Sequence, residues 1–66
     1  MKLHYDPQTD SLYIELAPRP GADAVEVSDG VVLDLDESGR PVGIDIQHAS
    51  RTADLSRIDA DGFPAA

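Results

Sequence analysis

The chain of 66 residues contains no cysteine and no tryptophan, and it has one phenylalanine and only five lysine and arginine residues. Without cysteine it forms neither a disulfide nor a thiolate zinc site. Thirteen aspartate and glutamate residues give a formal net charge of −8. Because this charge repels nucleic-acid phosphates and anionic membrane surfaces, we expect no nucleic-acid and no membrane partner.

Long apolar segments are also missing. No apolar run approaches the roughly 20 residues of a membrane-spanning helix, and the first ten residues lack the apolar core of a secretory signal. These absences predict a cytoplasmic protein. A chain this short forms one domain at most and usually needs a disulfide, a metal or oligomerisation for stability. Since disulfides are excluded, a hard-metal site, a partner chain or unusually good packing must supply that stability.

Alternation of apolar and polar residues dominates the chain and predicts five short strands. Alternating rather than continuous apolar residues indicate an antiparallel sheet with one buried face. Proline, glycine and aspartate residues between the strands predict turns, and we expect a meander in which each strand lies beside its predecessor. The predicted strands are KLHYD, SLYIEL, AVEV, VVLDLD and VGIDI.

The chain changes character after Arg51. The segment HASRTADLSRIDA predicts one short helix with Ser50 or Thr52 as its N-cap, and DADGFPAA predicts a frayed end. The expected fold is a small α+β domain, an antiparallel β-meander of four or five strands with a short C-terminal helix. Residues 1–51 form the β-rich domain, and residues 52–66 form the short helix and tail.

The apolar face of the predicted sheet is larger than one short helix can cover. An exposed apolar patch of several hundred Å² usually marks an interface. We therefore predict a homo-oligomer, with a dimer favoured, that packs sheet on sheet or strand edge on strand edge. The alternative is a monomer whose sheet coils tightly around the helix. The predicted interface residues are Leu12, Ile14, Leu33, Leu35, Ile44 and Ile46.

The stretch VVLDLDESGRPVGIDI at residues 31–46 has two interpretations. Asp34, Asp36, Ser38, Gly39 and Asp45 have the spacing of calcium-loop positions one, three, five, six and twelve. Such a loop is flanked by helices, whereas both flanks here alternate like strands. The alternation favours a β-hairpin that turns at the glycine.

In a hairpin, Asp34, Asp36 and Asp45 are expected on one polar face. Clustered carboxylates there are candidate ligands for a divalent cation, or a contact for a basic partner protein. A solvated polar face is the ordinary alternative. His4 and His48 have no spacing that brings them together, and a surface position is expected for each.

Catalytic patterns are absent from the sequence. Its serines have no nucleophile-elbow context, and its five glycines are scattered singly rather than grouped in a phosphate-binding loop. We therefore predict no catalytic residue, no cofactor and no enzymatic activity.

Two stretches together resemble a known family. MKLHYDPQTDSLYIEL resembles the opening of domain-of-unknown-function family 2283, and VSDGVVLDLDESGRPVGIDIQHAS resembles the rest, with the pattern VxLDxDxxGxxVGIxIxxAS. The resemblance covers residues 1–51. It implies a small prokaryotic protein with a sheet-plus-helix fold and no established activity, and it carries over no catalytic residue. Because some members are thought to lie beside small toxin-like proteins, it also implies an antitoxin-like or partner-binding role.

Charge, patterning and resemblance together predict a non-enzymatic, self-associating protein-interaction module. The alternative is a protein that binds a divalent cation or a small ligand on the acidic hairpin face.

Overall fold

Five strands form a single antiparallel sheet in the structure, a computed structural model that describes residues 1–64. The strands are β1 (Lys2–Asp6), β2 (Ser11–Glu15), β3 (Asp23–Ser28), β4 (Val31–Leu35) and β5 (Pro41–Ile46), and helix α1 (Ala49–Thr52) follows them. The predicted fold class, a small antiparallel sheet with a short C-terminal helix, is confirmed. Within residues 1–64, no helix has the length and apolar character needed to cross a membrane.

The strand order departs from successive pairing at one place. The order is β1-β2-β5-β4-β3, so the prediction that each strand lies beside its predecessor is wrong for β3. The connection of residues 16–22 contains two prolines and cannot form a tight hairpin. It runs along one end of the sheet instead. The Leu16 amide donates to the Val42 carbonyl (2.9 Å), and the Ala22 amide donates to the Leu35 carbonyl (2.7 Å).

The two later hairpins turn at glycines, as predicted. Gly30, between β3 and β4, has a φ of 76°, and Gly39, between β4 and β5, has a φ of 82°. This left-handed region is one that glycine enters without steric cost. A bulge between Glu26 and Ser28 interrupts the alternation of β3, which makes β3 an irregular edge strand.

The cross-strand register separates two faces of the sheet. We call one of them the apolar face. A row across it, from β1 to β3 in spatial order, consists of Leu3, Ile14, Ile44, Leu33 and Val25. The opposite face is the polar face, where the corresponding row consists of His4, Tyr13, Asp45, Val32 and Glu26.

The apolar face has little cover within one chain. Among the residues that the structure describes, the buried hydrophobic residues are Val42, which is 2% exposed, and Ala49. No large side chain of these residues is fully buried. A single chain therefore lacks the close-packed interior that normally holds a globular domain together. The six predicted interface residues are half-buried: Leu12, Ile14, Leu33, Leu35, Ile44 and Ile46.

Helix α1 begins earlier than predicted. The N-cap residue is His48, which has a left-handed conformation and makes no side-chain capping hydrogen bond. The prediction of Ser50 or Thr52 as N-cap is therefore wrong. The carboxylate of Asp10, from the β1–β2 turn, supplies the cap. It accepts hydrogen bonds from the Ser50 amide (3.1 Å) and from the Ser50 hydroxyl (2.6 Å). A carboxylate from a distant turn therefore anchors the helix to the sheet.

The chain after α1 is irregular rather than helical. Residues 53–64, which we call the tail, contain no helix or strand. The apolar side chains that the sequence places on a helix, Leu55 and Ile58, therefore belong to the tail. The last two residues of the chain, 65 and 66, lie outside the described residues.

Candidate functional site

Asp36 is the buried charge of the β4–β5 turn. Its side chain is 8% exposed, and its carboxylate accepts hydrogen bonds from Arg19 Nε (2.9 Å) and Arg40 Nε (3.1 Å). The amides of Ser38 and Arg40 also donate to it, each at 2.9 Å. The Arg40 amide, above all, holds the pKa of this carboxyl below its ordinary value. These contacts give Asp36 a structural role in the turn.

The predicted acidic cluster is therefore only partly present. Asp34 and Asp45 lie on the polar face, as predicted, where they pair with Gly43 and Val32. Asp36 lies beyond the end of β4, and backbone amides and guanidinium groups bind its side chain in the turn.

The stretch 31–46 forms a hairpin rather than a calcium loop. Residues 34–45 run from the end of β4 through a turn into β5, and this register leaves no loop folded around an ion. In the part of the chain that the structure describes, no group of three or more His, Cys, Asp or Glu side chains is placed to hold a metal. His4 lies on β1 and His48 precedes α1, so the two histidines belong to different elements.

A close contact that the sequence analysis missed lies on the polar face, between Tyr13 and Gly43. A Cβ atom at Gly43 would overlap the phenol oxygen of Tyr13. The ring therefore crosses the strand where there is no side chain, and its hydroxyl donates to Asp34 at 2.9 Å. Burial and this hydrogen bond raise the pKa of Tyr13. A glycine inside an alternating strand is the available signal, since it often marks a close approach of another group.

Gly43→Ala should release Tyr13 from Asp34. In a Tyr5→Phe background Tyr13 is the remaining tyrosine, so alkaline absorbance titration follows one phenol. We expect the substitution to return the pKa of Tyr13 toward its ordinary value of about 10, because the added methyl displaces the ring into water. Gly21→Ala is the control, since a Cβ there meets nothing within 4 Å. An unchanged Tyr13 titration in Gly43→Ala would refute the contact.

The apolar face is partly uncovered, and the tail lies beside one half of it. A cavity of about 460 Å³ separates the tail residues Leu55 and Ile58 from the sheet residues Leu3, Tyr5 and Leu12. The tail therefore borders the β1–β2 half of the apolar face without packing closely on it.

A second cavity of about 460 Å³ continues along the same half of the sheet. Ile14 and Leu3 line it from the sheet, and Ile58 and Phe63 line it from the tail. The two cavities share Leu3, Ile58 and Asp59, so they form one largely apolar groove. An apolar groove beside an open apolar sheet suits the binding of another apolar surface.

Comparison with known proteins identifies a family but no characterised relative. A family model described as a protein of unknown function (DUF2283) matches residues 2–50. No curated protein and no solved structure matches the chain. The family match spans well over half of the 66 residues. The chain therefore belongs to the DUF2283 family, which confirms the resemblance.

Proposed function

We propose that this member of the DUF2283 family is a self-associating protein-interaction module in which a second copy of the chain covers the apolar face. The observation that carries the proposal is the open apolar face itself. The central residues of this face, such as Leu33 and Ile44, are only half-buried in one chain. A second layer would bury them and supply the interior that a single chain lacks.

The exposed area of the chain supports a partner of its own size. Its solvent-accessible surface is 5124 Å², whereas a compact monomer of 7.0 kDa exposes about 4,000 Å². The excess of about 1,100 Å² exceeds the roughly 800 Å² that each partner buries in an interface of standard size. The excess over a compact monomer therefore supports a dimer.

The flat shape of the chain also supports a second copy as the partner. Its principal extents are 34 × 33 × 19 Å, and its radius of gyration is 12.7 Å, against about 11 Å for a compact domain of this length. A second sheet stacked roughly 10 Å away would convert this plate into a two-layer body. A second copy supplies a sheet of matching size.

Charge favours the apolar face as the contact between copies. Two chains of net charge −8 repel each other, and the repulsion is strongest where their carboxylates approach. When the apolar faces meet, the polar faces with Asp34, Asp45 and Glu26 point away from each other. The acidic residues then oppose association least and keep the outer surfaces hydrated.

The concentration dependence of thermal unfolding tests the proposal. Because mass action stabilises an associated native state, we expect the melting temperature to rise by several degrees between about 5 μM and about 500 μM chain. Circular dichroism at both concentrations measures it. A melting temperature that does not change with concentration would contradict self-association.

The antitoxin-like role and the basic partner protein stay predictions that rest on charge and on the family resemblance. The absence of enzymatic activity and the cytoplasmic location likewise stay predictions from the sequence.

A further inference from the structure

We propose that the tail of each chain in the dimer contacts strand β3 of the other copy, with Ile58 and Phe63 packed against Val25 of the partner subunit. This inference rests on the proposed self-association and specifies its geometry. It assigns the tail a role as part of the interface.

The tail has apolar side chains that its own sheet does not cover. Ile58 is 76% exposed and Phe63 is 66% exposed, although both line the groove against β1 and β2. Side chains of this size stabilise a protein when they are removed from water. Both side chains are therefore available for contact with another apolar surface.

Strand β3 offers such a surface at the opposite edge of the sheet. Val25 lies on the apolar face opposite Leu33 and is 43% exposed. Both groove cavities lie over β1 and β2, on the other side of the central strand β5. The apolar side chains of the tail and Val25 of β3 thus lie over opposite halves of the sheet, where one chain does not bring them together.

Symmetry decides how two copies bring them together. Most dimers have a two-fold axis, and a pair of sheets that stack face to face with their strands aligned places that axis either along the strands or across them. An axis across the strands stacks β1 on β1 of the other copy, so the two tails collide at one edge and hold the open halves apart. An axis along the strands reverses the order of the second sheet and stacks β3 of one copy over β1 of the other.

The second arrangement accommodates both tails. Each tail occupies a different edge of the pair, between its own β1–β2 half and the partner's β3. Twisted sheets that pack face to face touch at their centres and diverge toward their corners. The diverging corners leave room for one chain segment at each edge of the pair, and in this arrangement a tail fills that room.

Disulfide cross-linking tests this geometry, because the chain contains no cysteine of its own. The double variant Val25→Cys/Ile58→Cys should form a covalent dimer on brief oxidation, at a yield at least about tenfold above either single variant. Within one chain Val25 lies on β3 and Ile58 lies over β1 and β2, three to four strand spacings or roughly 14–19 Å apart, which excludes an internal disulfide. The readout is non-reducing electrophoresis.

Glu26→Cys/Ile58→Cys is the matched control, since Glu26 is exposed on the same strand but belongs to the polar face. It should give no more covalent dimer than the single variants. Efficient cross-linking of Val25→Cys alone or Ile58→Cys alone would overturn the proposal in favour of an axis across the strands. No cross-link in a protein that light scattering shows to be dimeric would refute the tail contact and leave self-association intact. A monomeric mass would refute both.

Discussion

Replacing Leu33 with asparagine should weaken self-association by at least about 100-fold. Leu33 lies between Val25 and Ile44 in the row across the apolar face, so a face-to-face dimer buries it. The substitution removes about 1.5–3 kcal/mol of apolar burial and leaves an amide without partners, which costs about 1–3 kcal/mol more. A two-fold interface contains the change twice. Sedimentation equilibrium measures the resulting dissociation constant.

Val32→Asn is the matched control for this experiment. Val32 is the neighbouring residue on β4, is half-buried like Leu33, and faces the polar side. The Val32→Asn substitution should leave the dimer intact. If Leu33→Asn is recovered unfolded, Val25→Asn gives the same test at a position that a single chain already exposes. Wild-type affinity in the folded variant would contradict the assignment of the apolar face to the interface.

Replacing Asp36 with asparagine should lower the melting temperature by roughly 10 °C. The carboxylate satisfies two backbone amides and two arginine side chains at once. Asparagine retains one acceptor oxygen and adds donors where the turn supplies only donors, so contacts to Arg19 and Arg40 are lost. Glu37→Gln, in the same turn but exposed, is the control and should change the melting temperature by little.

The same residue makes stability depend on acid pH. The pKa of Asp36 is lower in the folded chain than its ordinary value, so the folded state favours the ionised form. This contribution is fully present above the unfolded value of about 3.9 and is lost as pH falls through the lower folded value. The wild-type melting temperature should therefore fall more steeply than that of Asp36→Asn as the pH drops below about 4.

Two other carboxyl groups also have lowered pKa values, and the comparison of the wild type with Asp36→Asn accounts for them. The pKa values of Asp10 and Asp54 are also lowered, chiefly by hydrogen bonds from the hydroxyls of Ser50 and Ser56. Both groups are present in the wild type and in Asp36→Asn, so their effect cancels in the difference. Parallel pH profiles for the two proteins would refute the role assigned to Asp36.

The local elements of this fold are predictable from sequence, because alternation and turn residues act over a few positions. The five strands and the turns at Gly30 and Gly39 follow from such signals. The placement of β5 beside β2 depends instead on the path of a long connection, which no local pattern records. The same applies to Asp10, whose partner Ser50 lies 40 residues away.

The candidate metal site shows why residue spacing alone misleads. The spacing DxDxxG fits both an ion-binding loop and a hairpin turn. In the loop the carboxylates bind a cation, and in the turn they accept hydrogen bonds from backbone amides. The strand-like alternation of the flanking residues favours the hairpin, and the contact that assigns Asp36 to the turn is its pairing with Arg19, from the distant β2–β3 connection. Sequence spacing contains no information on that contact.

The pattern on which the family resemblance rests has a structural explanation at each of its aspartate and glycine positions. Asp34 accepts a hydrogen bond from the Tyr13 hydroxyl, and Asp36 binds backbone amides of the turn. Gly39 adopts a left-handed conformation, and Gly43 lies beneath the ring of Tyr13.

The solution mass tests the central claim most directly. Multi-angle light scattering of the wild-type chain at micromolar concentration should give twice the chain mass of 7.0 kDa, or about 14 kDa, with calcium or with EDTA. That result would support a second copy as the cover of the apolar face. A mass of 7.0 kDa at the same concentration would contradict it, because the open face would then be a stable surface of the monomer.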